Sequence, residues 1–141
     1  MKRSEARELL MILVFQMEAR HDTSREAAER LLADLTDDGV QPQPGDRRYI
    51  FDTFETLCEH LEEIDARIDA HSPRWKVRRM PKADLAILRL AVCEGLYCDD
   101  IPTAVAINEA LELAKRYGEE QTAPFIHAVA GAVCKAGREG R

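Results

Sequence analysis

The sequence lacks long apolar stretches and is poor in aromatic side chains. Aromatic residues make up 6% of the 141 residues, and the longest uninterrupted apolar stretch is the seven-residue segment 9–15. Such a stretch is too short to cross a bilayer, which needs about 20 residues. Polar Gln16, Glu18 and Arg20 follow it, where a signal peptide would have small residues at a cleavage site. We therefore expect a buried helix here, no membrane segment and a cytoplasmic location.

The sequence also lacks the cysteine and histidine spacings that bind metal ions. The four cysteines and four histidines are dispersed, and no CxxC pair occurs. Cys58 and His60 are two residues apart and Cys93 and Cys98 are five apart, so neither pair is well aligned on one helix face. We therefore expect reduced thiols, no metal site and no cofactor.

Catalytic motifs are absent as well. The sequence contains no GxSxG, no glycine-rich phosphate loop and no HExxH. Asp99 and Asp100 are adjacent carboxylates in a turn before a predicted helix, where we expect them to stabilise the helix N-terminus through its dipole. The sequence thus predicts a protein that is not an enzyme.

What the sequence does contain is helical periodicity, without β alternation of useful length or an internal repeat. Six apolar residues spaced 4, 3, 4, 3 and 4 apart predict one long helix over about 46–70: Ile50, Phe54, Leu57, Leu61, Ile64 and Ile68. Cap and breaker residues predict further helices over about 4–19 (capped by Ser4), 23–39 (opened by a capping box from Thr23 to Glu26), 82–98, 103–118 (ended by Gly118) and from 122 onward.

These helices predict an all-α fold. We expect about six to seven helices in a single domain of residues 1–141, made of two small helical-bundle subdomains, about 1–71 and 72–141, that share a core.

The predicted helix at 82–98 is apolar nearly all round, with Arg89 and Glu94 its only charges after Asp84. A helix of this kind must be covered by others. We expect Arg89 to pair with a carboxylate, because an unpaired buried charge is costly. Glu94 is either a core partner or an exposed contact. In the next helix we expect Asn108 to be a buried amide that fixes how the helices join.

Two basic clusters stand out in a chain whose net charge is −6. The first has five cations in nine residues: Arg74, Lys76, Arg78, Arg79 and Lys82. It is either a solvated connector or a contact for an anion or RNA. Trp75 within it could stack on a base, but we expect it to fill the core. The second cluster is N-terminal and consists of Lys2, Arg3 and Arg7, interleaved with Glu5 and Glu8.

The residues from Trp75 to Gly118 carry a specific pattern. It comprises Trp75, Arg79, Asp84, AILRLA at 86–91 and Glu94, then Ile101-Pro102, INEA at 107–110 and ELAK at 112–115. A shorter pattern opens the chain, with ARE at 6–8, Phe15-Gln16 and Glu18. Both patterns resemble the NusB family of transcription antitermination factors. The family's Phe-Val-Asn-Gly-Val stretch is FIHAV at 125–129 in this sequence, which keeps the apolar positions and loses Asn and Gly.

The resemblance implies a NusB-like fold and binding of boxA-type RNA from ribosomal RNA operons. Binding would occur together with NusE, a small-subunit ribosomal protein, in an antitermination complex with RNA polymerase. The RNA-binding residues would be the cations of the two clusters: Lys2, Arg3, Arg7, Arg78, Arg79 and Lys82. Partner-protein contacts would lie at Glu94 and Gln121. At about −0.7 per phosphate contact, the N-terminal cations alone give a salt slope of about −2, and the others would roughly double it.

Two other functions stay open at this point. The chain could be a protein-interaction module that keeps the NusB fold with weak or lost RNA binding, which Ser4, Glu5, His127 and Ala128 favour. It could also resemble the domain that precedes the catalytic part of some ribosomal RNA cytosine methyltransferases, which we expect only if the sequence is a fragment. A monomer and a homodimer are both compatible with the resemblance, and a dimer that buries the first helix would mask the basic arm.

Overall fold

The helix predicted to be most deeply covered forms the centre of the fold. It runs from Lys82 to Tyr97, and all of residues 84–96 are buried. The computed structural model describes residues 1–139, and this part of the chain contains no strand. Its helices are α1 (Arg3–Arg20), α2 (Arg25–Leu35), α3 (Pro44–Glu59), α4 (Leu61–His71), α5 (Lys82–Tyr97), α6 (Thr103–Tyr117) and α7 (Thr122–Glu139), with a 3₁₀-helix at Val77–Arg79. The predicted all-α fold is confirmed.

Helix α5 packs against helices from both halves of the chain. It contacts α1, α3 and α4 on one side and α6 and α7 on the other. A single cluster of buried apolar side chains therefore extends across the subdomain boundary predicted near residue 71. The expected partner of Arg89 is also present, because its guanidinium donates two hydrogen bonds to Asp65, at 2.9 and 2.7 Å, and one to Glu18, at 3.1 Å. None of the helices among residues 1–139 has the length and apolar character to cross a membrane.

The long helix predicted over 46–70 is wrong in one respect, because it is broken at His60. The backbone there has φ −108° and ψ 16°, so His60 ends α3 and precedes α4. The apolar seam continues across the break, since Leu57 and Ile64 are both fully buried. The His60 ring stacks on Tyr97 of α5, with ring centroids 4.3 Å apart, so the junction of α3 and α4 contacts the end of α5.

Two predicted helix starts need correction, and the predicted end of α6 at Gly118 is confirmed. Helix α1 begins at Arg3, so Ser4 is not its cap. Ser24 caps α2 by accepting a hydrogen bond from the N–H of Ala27 at 3.2 Å, in place of the capping box from Thr23. Gly118 ends α6 without a left-handed conformation. A Cβ at this position would lie 2.5 Å from the side chain of Thr122, so glycine is required there by a close approach.

Two residues expected in the core lie at the surface. Asn108 is exposed on α6, because the buried face of that helix is formed by Ala106, Ala110, Leu113 and Ala114. Trp75 is 40% exposed and packs edge-to-face on Phe125, with ring centroids 5.7 Å apart. The expectation that Trp75 fills the core is therefore wrong.

His127 and Ala128, which depart from the family pattern, are exposed, whereas Ile126 and Val129 are buried.

Candidate nucleic-acid interface

A buried network beneath the N-terminal basic cluster holds Arg7. Its guanidinium donates to both carboxylate oxygens of Glu94, at 2.8 and 3.0 Å, and the hydroxyl of Tyr49 donates to the same carboxylate at 3.0 Å. The side chains of Arg7 and Glu94 are 5% and 1% exposed. A second carboxylate, that of Glu109, lies 3.6 Å from Arg7. Side-chain contacts of one polar cluster therefore connect helices α1, α3, α5 and α6.

The charges of this network are fixed by mutual contact. Burial alone would lower the pKa of Arg7, but the hydrogen bond and the negative charge of Glu94 raise it, so the guanidinium stays protonated. Burial and the neighbouring Glu94 carboxylate raise the pKa of Tyr49, so its hydroxyl stays a donor. Arg7 and Tyr49 therefore remain the donors that these hydrogen bonds require.

This geometry changes the roles predicted for two residues. Arg7 was predicted to bind RNA, yet its donors are taken up inside the protein by Glu94 and Glu109. Glu94 was predicted to contact a partner protein, yet its carboxylate is buried, and it is the core partner that the sequence left open. Glu94 is closed off from solvent, and Arg7 reaches the groove only with the 5% of its side chain that stays exposed. They anchor the first helix instead.

Lys2 and Arg3 remain at the surface above the network. Arg3 is half exposed, and its guanidinium lies 4.3 Å above the ring of Tyr49 and 3.3 Å from Asp46. Lys2 is exposed at the start of α1. One further cation, Arg48, is exposed in the first turns of α3 and lines the same groove as Arg3. Sequence reasoning missed Arg48, because the pair Arg47-Arg48 is not part of a longer basic cluster and only the fold brings α3 beside α1.

The groove has a volume of about 560 Å³. Arg3, Arg48 and Tyr49 line it from α1 and α3, and residues 97–102 with Val105 line it from the turn between α5 and α6. Asp99 and Asp100 are exposed in that turn, four and three residues before α6 begins. They lie in the turn before α6, as predicted, and outside its first helical turn, and both line the groove.

The second basic cluster lies at the other end of α5. Arg78 and Arg79 are exposed in the 3₁₀-helix and form no ion pair within residues 1–139. Lys82 lies 3.6 Å from Glu18, and the ammonium of Lys76 donates to the backbone carbonyl of Asp69 at 2.9 Å. A surface of exposed cations therefore exists here, separate from the groove.

The fold keeps the two basic clusters apart because α1 and α5 are antiparallel. Arg7 near the start of α1 meets Glu94 near the end of α5, whereas Glu18 near the end of α1 meets Lys82 and Arg89. At about 1.5 Å per residue, Arg3 and Glu18 are separated by roughly 22 Å along α1. The six cations predicted for RNA binding do not form one continuous patch.

Gln121, the second predicted partner contact, is exposed just before α7. The neighbouring turn is ordered by Thr122, whose hydroxyl accepts from the N–H of Glu119 at 2.9 Å and donates to Asp84 at 3.3 Å. Burial raises the pKa of Asp84, and the hydrogen bond from Thr122 lowers it in part. Gln121 thus lies at the same end of the protein as the second basic cluster, beside the start of α5.

Within residues 1–139, no group of three or more histidine, cysteine or carboxylate side chains is arranged to hold a metal ion. Cys58, Cys93, Cys98 and Cys134 are free thiols, and burial raises the pKa of Cys58 to about 11. The chemistry of the described surface is that of charged and aromatic contacts.

Comparisons with known proteins agree with this architecture. The model of the NusB family matches residues 4–135. The transcription antitermination protein NusB of Agathobacter rectalis is 45% identical over 129 residues, covering 92% of this chain and 96% of that protein. The same protein of Acetivibrio thermocellus is 42% identical over 137 residues, covering 96% and 90%.

Solved structures show the same fold. The structure of T. maritima NusB has a TM-score of 0.83 at 29% identity and covers 96% of this chain and 92% of that one. A crystal structure of the antitermination factors NusB and NusE in complex with dsRNA contains a chain with a TM-score of 0.81 at 22% identity, with 96% and 99% covered. By the family match and the identity of these relatives, the chain belongs to the NusB family.

Proposed function

We propose that this chain is a non-enzymatic RNA-binding adaptor of transcription antitermination. It binds boxA-type RNA of ribosomal RNA operons together with NusE, within an RNA polymerase complex in the cytoplasm. Family membership carries the proposal, because the family model matches residues 4–135 and relatives at 36–45% identity are transcription antitermination proteins. The structure supports it with exposed cations at Lys2, Arg3 and Arg48.

A protein partner is part of the proposal. One related fold was solved as NusB with NusE and dsRNA, which supports a joint complex for this chain. The net charge of −6 supports a basic partner, because opposite net charges speed association and favour the complementary surface. It also means that RNA binding by the isolated chain is modest and that NusE adds positive surface.

The RNA contacts are assigned first to the groove end of the protein. Lys2, Arg3 and Arg48 would give a salt slope of about −2 at about −0.7 per phosphate contact on single-stranded RNA. The exposed Arg78 and Arg79 serve a second contact, with RNA or with NusE, at the far end of α5. Gln121 belongs to the protein contact at that same end.

A titration tests this proposal. Fluorescence anisotropy of labelled boxA RNA is measured with the chain alone and with NusE, each at two salt concentrations. We expect weak binding alone and tighter binding with NusE. The charge reversal Lys2→Glu/Arg3→Glu should weaken binding, while the matched reversal Arg30→Glu/Lys135→Glu at exposed sites elsewhere should not. The same RNA affinity with and without NusE at low salt would contradict the proposal.

A second function is favoured by one observation, the burial of Arg7. Because Arg7 is buried, only Lys2 and Arg3 of the N-terminal basic cluster are exposed. This favours a protein-interaction module with weak or lost RNA binding. In that case the Lys2→Glu/Arg3→Glu variant would bind NusE and RNA as the unmodified chain does. Sedimentation in the same buffers reports whether a homodimer that covers α1 forms.

A further inference from the structure

The groove beside Arg3 has two chemically different walls. One wall comes from α1 and α3 and presents Arg3 and Arg48. The other comes from the turn after α5 and presents Asp99 and Asp100. A volume of about 560 Å³ is in the range of small-molecule sites and is ample for one nucleotide. The groove is therefore large enough for a ligand that touches both walls.

The charges on the walls are not neutralised across the groove. The ion pair that Arg3 makes is with Asp46 on its own side, and within residues 1–139 Arg48, Asp52, Asp99 and Asp100 form no ion pair. Asp52, one turn after Arg48 on α3, adds a third carboxylate to the lining. A surface that only bound phosphates would be weakened by these acids, because like charges repel. They suit a ligand that is anionic at one side and donates N–H groups at the other.

The groove also offers apolar surface between the charged walls. Val105 on α6 is 43% exposed, and Ile101, Pro102 and the ring of Tyr97 line the groove beside it. Unstacked RNA bases pack on such side chains and are recognised through hydrogen bonds at their Watson–Crick edges. The exposed side chain of Val105 is therefore a suitable surface for the face of a base to pack on.

Resting on the proposed function, we propose that this groove is a subsite for a single unstacked nucleotide of the RNA. Its phosphate lies against Arg3 and Arg48, its base packs on Val105 and Ile101, and the carboxylates of Asp99 and Asp100 accept hydrogen bonds from the base. These acids select a base that donates N–H groups, above all guanine. The adjacent N1–H and N2–H groups of guanine match the two oxygens of one carboxylate, whereas uracil presents two carbonyls and a single N–H.

The test compares RNAs that differ in one base. Anisotropy is measured, with NusE present, for an oligouridine, for the same oligomer with one central guanosine, and for one with inosine, which lacks the N2 amine. We expect the guanosine oligomer to bind about tenfold more tightly than oligouridine, as for a good bidentate contact, with inosine between them. The Asp99→Asn/Asp100→Asn variant should bind all three equally, while Glu120→Gln, which removes an exposed acid at the other end of the protein, should keep the preference.

The outcomes separate this inference from the proposed function. If the unmodified chain binds the three oligomers equally, or if Asp99→Asn/Asp100→Asn strengthens binding of all three by the same factor and leaves the preference intact, the inference is overturned while RNA binding stands. If no RNA binds at low salt even with NusE, the proposed function itself fails. Circular dichroism of each variant confirms that the exposed turn tolerates the substitutions.

Discussion

Arg7 and Glu94, 87 residues apart in the sequence, form a bidentate ion pair in the interior of the protein. The pair joins the first helix to the central helix, and Tyr49 from α3 completes it by donating to the same carboxylate. A residue that belongs by sequence to a basic arm is thus an internal anchor. By fixing the start of α1 to α5, the Arg7–Glu94 pair also positions the exposed cations Lys2 and Arg3.

Removal of one partner from this pair should destabilise the protein strongly. Arg7→Ala leaves the Glu94 carboxylate buried with a single donor, Tyr49, and we expect the free energy of unfolding to fall by about 3–5 kcal/mol. Arg20→Ala, at an exposed arginine of the same helix, should change it by about 0.5 kcal/mol or less. Urea unfolding followed by circular dichroism measures both. Equal effects of the two substitutions would contradict the anchoring role.

The ion pair of Arg3 with Asp46 should compete with RNA for the same guanidinium. Asp46→Asn releases Arg3 and removes a negative charge beside the groove. Exposed ion pairs of this kind contribute about 0.2–1 kcal/mol, so we expect RNA affinity to rise by roughly 1.5- to 5-fold. Anisotropy titrations of this variant and of Glu120→Gln, which neutralises a distant acid, measure the effect. A rise of the same size in Glu120→Gln would show that only net charge matters.

Tyr49 should control how Arg3 meets the RNA, because its ring lies 4.3 Å beneath the guanidinium. Tyr49→Leu removes the ring, and we expect the salt slope of RNA binding to become shallower by about 0.7, the value of one phosphate contact. Arg3→Ala should have the same effect, and the double variant should lose no more than either single one. Tyr49→Phe keeps the ring and should keep the slope. If the double variant lost the sum of the two single changes in salt slope, Tyr49 would not act through Arg3.

Glu18 should make the stability depend on pH in the acid range. Burial raises the pKa of its carboxyl, whereas the hydrogen bond and positive charge of Arg89, together with Lys82, lower it. The lowering is the larger effect, so the pKa lies below the usual 4.5. The unfolded chain then binds the proton more readily. The contribution of Glu18 is therefore complete above the unfolded pKa and is lost as pH falls through the lower folded pKa.

The variant Glu18→Gln isolates this contribution. At pH 7 we expect it to be less stable than the unmodified chain by about 1 kcal/mol, and the difference should shrink as pH falls below the unfolded pKa of the carboxyl. Urea unfolding at pH 7, 5 and 3 measures it. A difference that does not vary with pH would show that the carboxylate charge of Glu18 plays no part.

The sequence predicted the elements whose signal is local and strong. Helix α5 was predicted to within one residue because its apolar side chains surround it, and the need of Arg89 for a carboxylate followed from its place on that helix. The break at His60 could not be predicted, because neither proline nor glycine stands there and the apolar spacing continues. The stacking of His60 on Tyr97 that accompanies the break is a contact between distant parts of the chain.

The site was harder to predict than the fold for the same reason. A cationic side chain near a chain terminus is exposed in most proteins, and nothing beside Arg7 in the sequence indicates that α5 places a buried carboxylate against it. Arg48 has only Arg47 as a basic neighbour in the sequence, and the packing of α3 on α1 brings it to the groove. The aromatic ring of Trp75 is partly exposed because Phe125 covers just one of its edges.

The antiparallel arrangement of α1 and α5 has an electrical consequence. Screening by physiological salt reduces interactions between exposed charges beyond a Debye length of about 8 Å, and the two basic clusters lie roughly 22 Å apart along the helix axis. The field of one cluster is therefore hardly felt at the other. A charge substitution at one end of the protein should therefore leave the RNA affinity of the other end unchanged. Arg78 and Arg79 are in this sense electrostatically independent of Arg3 and Arg48.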